Sequence, residues 1–449
     1  MTKTKSSEEL ALPAEHPALE LAHTIAKSGG RLLVVGGWVR DRVCGGPGGD
    51  LDLEVVGLAP EPLEALLGHF GRVHRVGRSF PVFKVSGLDA DVSSAAPGQD
   101  FAAAARRRDL TLNAMAFDPL TGELLDPLGG RADWKRGVLR ACDPERFGDD
   151  PVRGLRVAQL AARFALRPDA ELLRLCRAQD LADVPSERIF AELRKLLASD
   201  RPSVGLALLR DTDLLRFFPE LTATVDVPQD PEWHPEGPVW DHTLMVVDEA
   251  AGLRTGDPGD DALLLWAALC HDLGKPAVTR VGEGGRVRSH GHDALGQEIA
   301  EAWLERLRGP NALVRGVGAL VRHHLAPSLF VGQGAKPPAY RRLARKLEAA
   351  AVTVELLERV ARADHWGRTT DEARARRFPA GDTFLARARD LSVEQRAPRS
   401  AVQGRHVLAR GVAPGPEVGW ILDRCRALQD ETGWSDPGRL LDAALKHQP

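Results

Sequence analysis

The chain has 449 residues, long enough for roughly two to four domains with a substantial core. Its formal net charge of −3 at pH 7 excludes a global polycation, so nucleic-acid contacts would have to come from local basic faces. Five cysteines without a CxxC pair argue against a disulfide framework or a thiolate zinc site. The longest apolar run, ALLLWAALC at 262–270, is too short to span a bilayer. MTKTKSSEELALPAEHP carries no basic-then-apolar leader pattern, so the expected location is the cytoplasm, with no membrane partner.

In chain order, PALELAHTIAKSGG has helical apolar spacing and a Gly-Gly stop. RLLVV reads as a short buried strand, and WVRDRVCG begins a helix. DLDLEVVG alternates, which puts Asp50 and Asp52 on one face and Leu51 and Leu53 on the other. VHRVGRSFPVFKVSG and DADVSSA read as further strands, and LTLNAMAFDPLTGELLD as strand, turn, strand. From Pro151 onward the pattern is helical. VPQDPEWHPEGP at 227–238 reads as a linker. Residues 239–370 form a histidine-rich helical region, 378–405 read as irregular, and a last helical unit follows PGP at 414–416.

A strand ending in Gly-Gly lets backbone amides approach an anion without a Cβ in the way. The helix N-terminus that follows adds partial positive charge, and Arg40 a full one. Asp50 and Asp52 could jointly hold Mg²⁺, a hard cation that prefers carboxylates and phosphates. Asp91 is the best-placed third carboxylate and Asp89 a weaker one. Metals shared by such acids would activate an attacking hydroxyl and stabilise departing pyrophosphate.

GGWVRD, DLDLE, RRDLTLNAMAFD, DPLGG and DDPVR follow in order between about 31 and 165. Together they resemble the tRNA nucleotidyltransferase and bacterial poly(A) polymerase family of the polymerase-beta-like superfamily. The resemblance implies that Gly36, Gly37 and Arg40 bind the triphosphate. It makes Asp50 and Asp52, with Asp91, the catalytic carboxylates. Arg107, Arg108, Asp109 and Asn113 would shape the site near ribose and base, and Asp150 and Arg153 would read the incoming base. The family usually has Glu-Asp before this arginine; here it is Asp149-Asp150. Fifteen residues separate Asp91 from Arg107, where complete CCA-adding members carry a longer flexible loop. That brevity points to an enzyme adding only the two cytidines from CTP and working with a separate A-adding enzyme. The alternatives are a complete CCA-adding enzyme that also uses ATP, and a poly(A) polymerase.

The 14 histidines are unevenly spread. The order H…HD…H…HH…D, with HDLGKP at 271–276, resembles the HD phosphohydrolase superfamily over about 239–370. His242, His271, Asp272 and Asp364 would be its metal ligands. His292, His323 and His324 would complete a second metal or bind phosphate, and Lys275 would neutralise substrate phosphate. Imidazoles with carboxylates suit Mn, Ni, Co or Fe, or Mg²⁺ held mainly by the acids. The implied activity is hydrolysis of 2′,3′-cyclic or terminal phosphates.

The expected fold is therefore α+β. A small mixed-sheet nucleotidyltransferase head at 17–150 precedes an all-α neck at 151–226. An all-α HD domain at 227–370 and a helical C-terminal region at 371–449 follow. The expected macromolecular partner is the tRNA acceptor stem, gripped by basic clusters such as RRLARKLE at 341–348.

Overall fold

The computed structural model describes residues 10–76, 82–88, 90–95 and 98–446. Asp89 lies outside the described residues. One compact unit comprises the residues up to Val184 together with Leu208–Leu214; the other comprises Pro185–Ala207 and the residues from Leu215 onward.

The first unit is built on a seven-stranded sheet. Its strands are β1 (Arg31–Val35), β2 (Leu51–Val56), β3 (Val73–Val76), β4 (Val82–Val85), β5 (Ala90–Ser94), β6 (Ala116–Phe117) and β7 (Leu124–Leu125), in the order β3-β4-β5-β2-β1-β6-β7. The sheet is mixed because β2 and β5 run parallel while the other pairs are antiparallel. RLLVV buries Leu32 to Val35, as an apolar central strand must. LDLEVV alternates at its start, burying Leu51 and Leu53 and exposing Asp52. LTLN, expected to be strand, is a 3₁₀ turn over Thr111–Asn113, and only two-residue strands follow it. Side-chain bonds from Asn113 hold that turn, and they compete with a sheet ladder.

The helix Arg153–Phe164 closes this unit through a buried polar chain. Arg163 Nη2 donates to Asp41 Oδ2 at 2.8 Å, and Arg40 Nε donates to Asp41 Oδ1 at 2.7 Å. Arg40 Nη1 donates to Asn113 Oδ1 at 2.8 Å, and Asn113 Nδ2 to Asp109 Oδ1 at 2.9 Å. Arg156 Nη1 completes the chain on Asp109 Oδ2 at 2.8 Å. Burial alone would raise the Asp109 carboxyl; Arg156 and the hydrogen bonds outweigh it and hold it below the ordinary value.

The second unit is helical except for a two-stranded antiparallel hairpin, Arg280–Val281 with Val287–Arg288, within the 227–370 region expected to be all-α. Its core stacks Phe190 on Trp266 (5.4 Å between centroids) and sets Trp303 edge-on to Trp266 (5.8 Å). Residues 378–405, expected to be irregular, contain the helix Pro379–Asp390. Pro379 sits in the first turn, where its missing N–H costs nothing, and Phe384 and Ala388 face inward. A separate cluster around Val407, Ile421, Leu440 and Ala444 forms the core of the last helices. Among the described residues no helix is long and apolar enough to cross a membrane.

Asp109→Ala should leave Arg156 and Asn113 without their buried partner. A loss of about 3–5 kcal/mol is expected, read as an earlier urea-unfolding transition of the first unit; an unchanged midpoint would remove the network from the forces holding the helix Arg153–Phe164.

Candidate active sites

The parallel pairing of β2 with β5 puts Asp52 directly opposite Asp91, and the antiparallel pairing of β4 with β5 puts Lys84 opposite Asp91. Lys84, Asp91 and Asp52 therefore share one face across three neighbouring strands. Asp50, two residues before Asp52, completes the acidic edge. These residues line a cleft of 580 Å³ together with Trp38 and Arg42. Although Asp52 presents solvent-accessible surface, the cleft raises its carboxyl, first by loss of hydration. Asp91 and Asp50 push the same way, while Arg108 and Lys84 oppose them. Lys84 pairs with Asp91 at 3.0 Å, and the carboxylates gathered at this edge are of the kind that suits a divalent cation.

Gly36, between β1 and the helix Gly37–Val43, has φ 73°, and a Cβ there would lie 2.9 Å from Asp52 Oδ2. Only glycine keeps the space beside that carboxylate clear. Arg108 reaches the same place and is held by Glu54 (Nη2–Oε2 2.5 Å). Sequence reasoning missed three residues here. Glu54 is the third acid of the DxDxE alternation, whereas Lys84 and Arg42 give a local signal too weak to single out.

Three other expected nucleotide ligands, Arg40, Asp109 and Asn113, are turned into the fold. Arg40 is buried against Asp41 and Asn113, and Asp109 against Arg156. Arg153 donates to the carbonyls of Arg107 (2.8 Å) and Arg146 (2.6 Å). Asp150 stands just before the helix Arg153–Phe164 and accepts from Val152 N at 3.4 Å. Arg156 and Arg163 are ion-paired with Asp109 and Asp41.

The second site lies in the helical unit. His242 comes from the helix Val239–Gly252, His271 and Asp272 follow the helix Pro258–Cys270, and Asp364 lies on the helix Val354–Trp366. Ligand atoms of His242, His271 and Asp364 lie within 4.8 Å of one another, and so do those of Asp272, His292 and His324. His271, His292 and His324 share one device: each sets Nδ1 against the carbonyl three residues earlier, at 2.7–2.8 Å. Nδ1 then carries a proton, and Nε2 is the atom aimed inward. His271 Nε2 lies 3.2 Å from Asp272 Oδ2, and the Nε2 atoms of His292 and His324 face each other at 3.3 Å. Facing nitrogens of this kind fit a shared cation.

Burial opposes ionisation of Asp272, yet His271 and Lys275 hold its carboxyl well below the ordinary value. Arg368 and His242 do the same for Asp364. Burial pushes His324 down to about 3, so it is neutral at pH 7. Lys275 Nζ lies 2.7 Å from Asp272 Oδ2 and donates to Gln229 Oε1. His323 lies outside these groups: successive helical residues point about 100° apart, and only His324 turns inward. Burial lowers His323 to about 4.

The stretch 227–238, expected to be a linker, belongs to this site. Its His234 and Glu236 form a third group with His242. Burial would raise the Glu236 carboxyl, but hydrogen bonds from His234 and His242 outweigh it and hold it low. The only sequence signal was an H-x-E pair inside a proline-rich run.

Residues 86–140 match the family described as Poly A polymerase head domain. Residues 171–224 match the probable RNA and SrmB-binding site of polymerase A, and 239–365 the HD domain. A Methylococcus capsulatus protein named Multifunctional CCA protein is 39% identical over 320 residues, spanning 66% of this chain and 72% of the relative. The fold is similar to that of a Bacillus stearothermophilus CCA-adding enzyme in complex with CTP (TM-score 0.63, 21% identity, 96% of each chain). It is also similar to that of a Thermotoga maritima CCA-adding enzyme complexed with tRNA (TM-score 0.60, 17% identity, 99% of each chain).

Gly274, in the HDLGKP stretch, packs so closely that a Cβ would collide with the His292 carbonyl and stand 2.7 Å from Gly296 N. Gly274→Ala should displace the helix carrying His292 and cost about 3 kcal/mol. Differential scanning calorimetry checks this, and an unshifted transition would show that the backbone yields without cost.

Proposed function

The chain belongs to the tRNA nucleotidyltransferase and poly(A) polymerase family and carries an HD domain, and from that premise we propose what its two sites do. The head transfers cytidylate from CTP to the 3′ end of tRNA without a template and releases pyrophosphate. The observation that carries this reading is the parallel register that faces Asp52 with Asp91 beside the open Gly36 turn.

In this reading Asp50, Asp52 and Asp91 hold Mg²⁺, which supplies charge neutralisation for the triphosphate and a more acidic 3′-hydroxyl. Gly36 and Gly37 leave backbone room for phosphate, and Arg108, fixed by Glu54, sets positive charge beside it. Arg40, Asp109 and Asn113 act as the frame that fixes the Gly36 turn against the helix Arg153–Phe164. Asp150 accepts the exocyclic amine of the incoming base, and Arg153 donates to its acceptor edge. Arg107 is tied to the same corner through its carbonyl.

Addition of two cytidines only, followed by a separate A-adding enzyme, is the finer proposal. It is supported by the shortness of the segment between β5 and the helix Phe101–Ala105, whose Phe101 and Ala105 lie in the core. Only six residues lie between Ser94 and Phe101, little chain for a loop that could swing over the site. Complete CCA addition with CTP and ATP is the second reading, favoured by the name of the Methylococcus capsulatus relative.

We further propose that the histidine site hydrolyses 2′,3′-cyclic or terminal phosphates on RNA ends. His242, His271, Asp272, Asp364, His292 and His324 would hold a divalent ion, which supplies an acidified water. Lys275 offsets phosphate charge. A tRNA ending in a cyclic phosphate has no free 3′-hydroxyl; this site would restore one for the head to extend.

Asp52→Ala should lower cytidine addition by several orders of magnitude and leave phosphohydrolysis intact, as assayed with radiolabelled CTP and a cyclic-phosphate substrate. Retained addition would remove Asp52 from metal binding. Given CTP and ATP with a tRNA lacking its 3′ end, the protein should stop after two cytidines on a sequencing gel; efficient addition of a terminal adenosine selects complete CCA addition instead.

A further inference from the structure

His242 differs from the other inward-facing histidines. Its ring does not use the carbonyl device that serves His271, His292 and His324; the Val239 carbonyl, three residues earlier, accepts from the Thr243 hydroxyl at 2.8 Å. A carboxylate takes that place. Glu236 Oε1 lies 2.8 Å from His242 Nδ1 and 2.9 Å from His234 Nδ1, while Oε2 accepts the Thr369 N–H at 3.1 Å. The Glu236 side chain is fully enclosed, and so is that of His242. On its other side, His242 Nε2 lies 3.1 Å from Asp364 Oδ1. The loop is fastened on both sides of Glu236, since Val239 N donates to Val227 O at 3.0 Å and Lys275 Nζ to Gln229 Oε1 at 2.7 Å.

We propose that Glu236 is a positioning residue of the histidine site: it fixes the Nδ1-protonated tautomer of His242 and aims Nε2 toward Asp364 and His271. This rests on reading His242, His271 and Asp364 as cation ligands. A carboxylate acceptor polarises the imidazole more than a backbone carbonyl does, so it makes Nε2 the stronger donor to a cation. The strength of His242 as a ligand is thus set by a loop residue six positions upstream. His234 shares the same oxygen and stands edge-on to His242, 4.7 Å between ring centroids. It keeps the carboxylate from turning away.

The test uses the full chain with Asp50→Ala and Asp52→Ala, so that the head carboxylates do not report, and Co²⁺ as the probe. Titration is followed by visible absorption and by calorimetry. The parent should bind Co²⁺ with ligand-field bands, and Asp364→Ala should remove them. Glu236→Gln keeps the shape but loses the charge. It should bind roughly 10–100-fold more weakly with shifted bands, while far-ultraviolet circular dichroism stays unchanged. Glu236→Asp should recover part of the affinity. Glu236→Gln with parental affinity and spectrum overturns the proposal. Should Glu236→Gln not fold, Glu236→Asp carries the test, and parental affinity and bands in that variant overturn it. Absence of Co²⁺ binding by the parent, with or without Glu236, overturns the cation reading itself, and this inference falls with it.

Discussion

Groups that repel one another are held at short range in two places, and much of the surrounding architecture works to keep them there. In the head the groups are carboxylates, aligned across β2 and β5 by backbone register. In the helical unit they are imidazole nitrogens and two ionised acids, held by hydrogen bonds on their outer sides. Neither cluster would persist in a chain free to relax. Each is stable because backbone pairing and buried contacts fix the side chains, and Lys84 on Asp91, Lys275 on Asp272 and Arg368 on Asp364 supply part of the counter-charge. Such preorganisation is what a cation site for phosphate chemistry requires.

The two clusters are held by different means. The sheet sets positions by pairing, so Asp52 and Asp91 need little side-chain support and remain accessible. The charged residues around them are spent on docking: Arg40, Asn113 and Asp109 link the Gly36 turn to the helix Arg153–Phe164. Paired buried charges of this kind add little net stability, but breaking one partner is costly. They therefore specify one arrangement of turn and helix. In the helical unit, the same specifying role falls to imidazole Nδ1 atoms and their acceptors.

The sequence made visible what local period and spacing encode. RLLVV, the Gly-Gly turn, the DLDLE alternation and the order of the histidine motifs all carry short-range signals. Long-range pairing was not legible. Nothing local says that β5 runs parallel to β2, which is what sets Asp91 against Asp52 and brings Lys84 into the same row. Arg40 looked like a phosphate ligand because its motif sits at a helix start, yet its guanidinium is satisfied internally. His323 and His324 were indistinguishable as neighbours until helix rotation separated them. His234 and Glu236 were hidden by composition, since prolines and acids at 227–238 suggest a solvated connection, while these two side chains turn inward to His242. The same bias hid the helix Pro379–Asp390, where an opening proline looked like a breaker.

His242 and Asp364 touch across 122 positions of sequence. Contacts so distant along the chain close late, because the loop entropy must be overcome before they are rewarded. During synthesis, a nascent chain has no such pair until Asp364 has left the ribosome, although the segments forming the head sheet emerged long before. Completion of the His242, His271 and Asp364 group thus waits on the position of a single aspartate, well after the head segments have emerged.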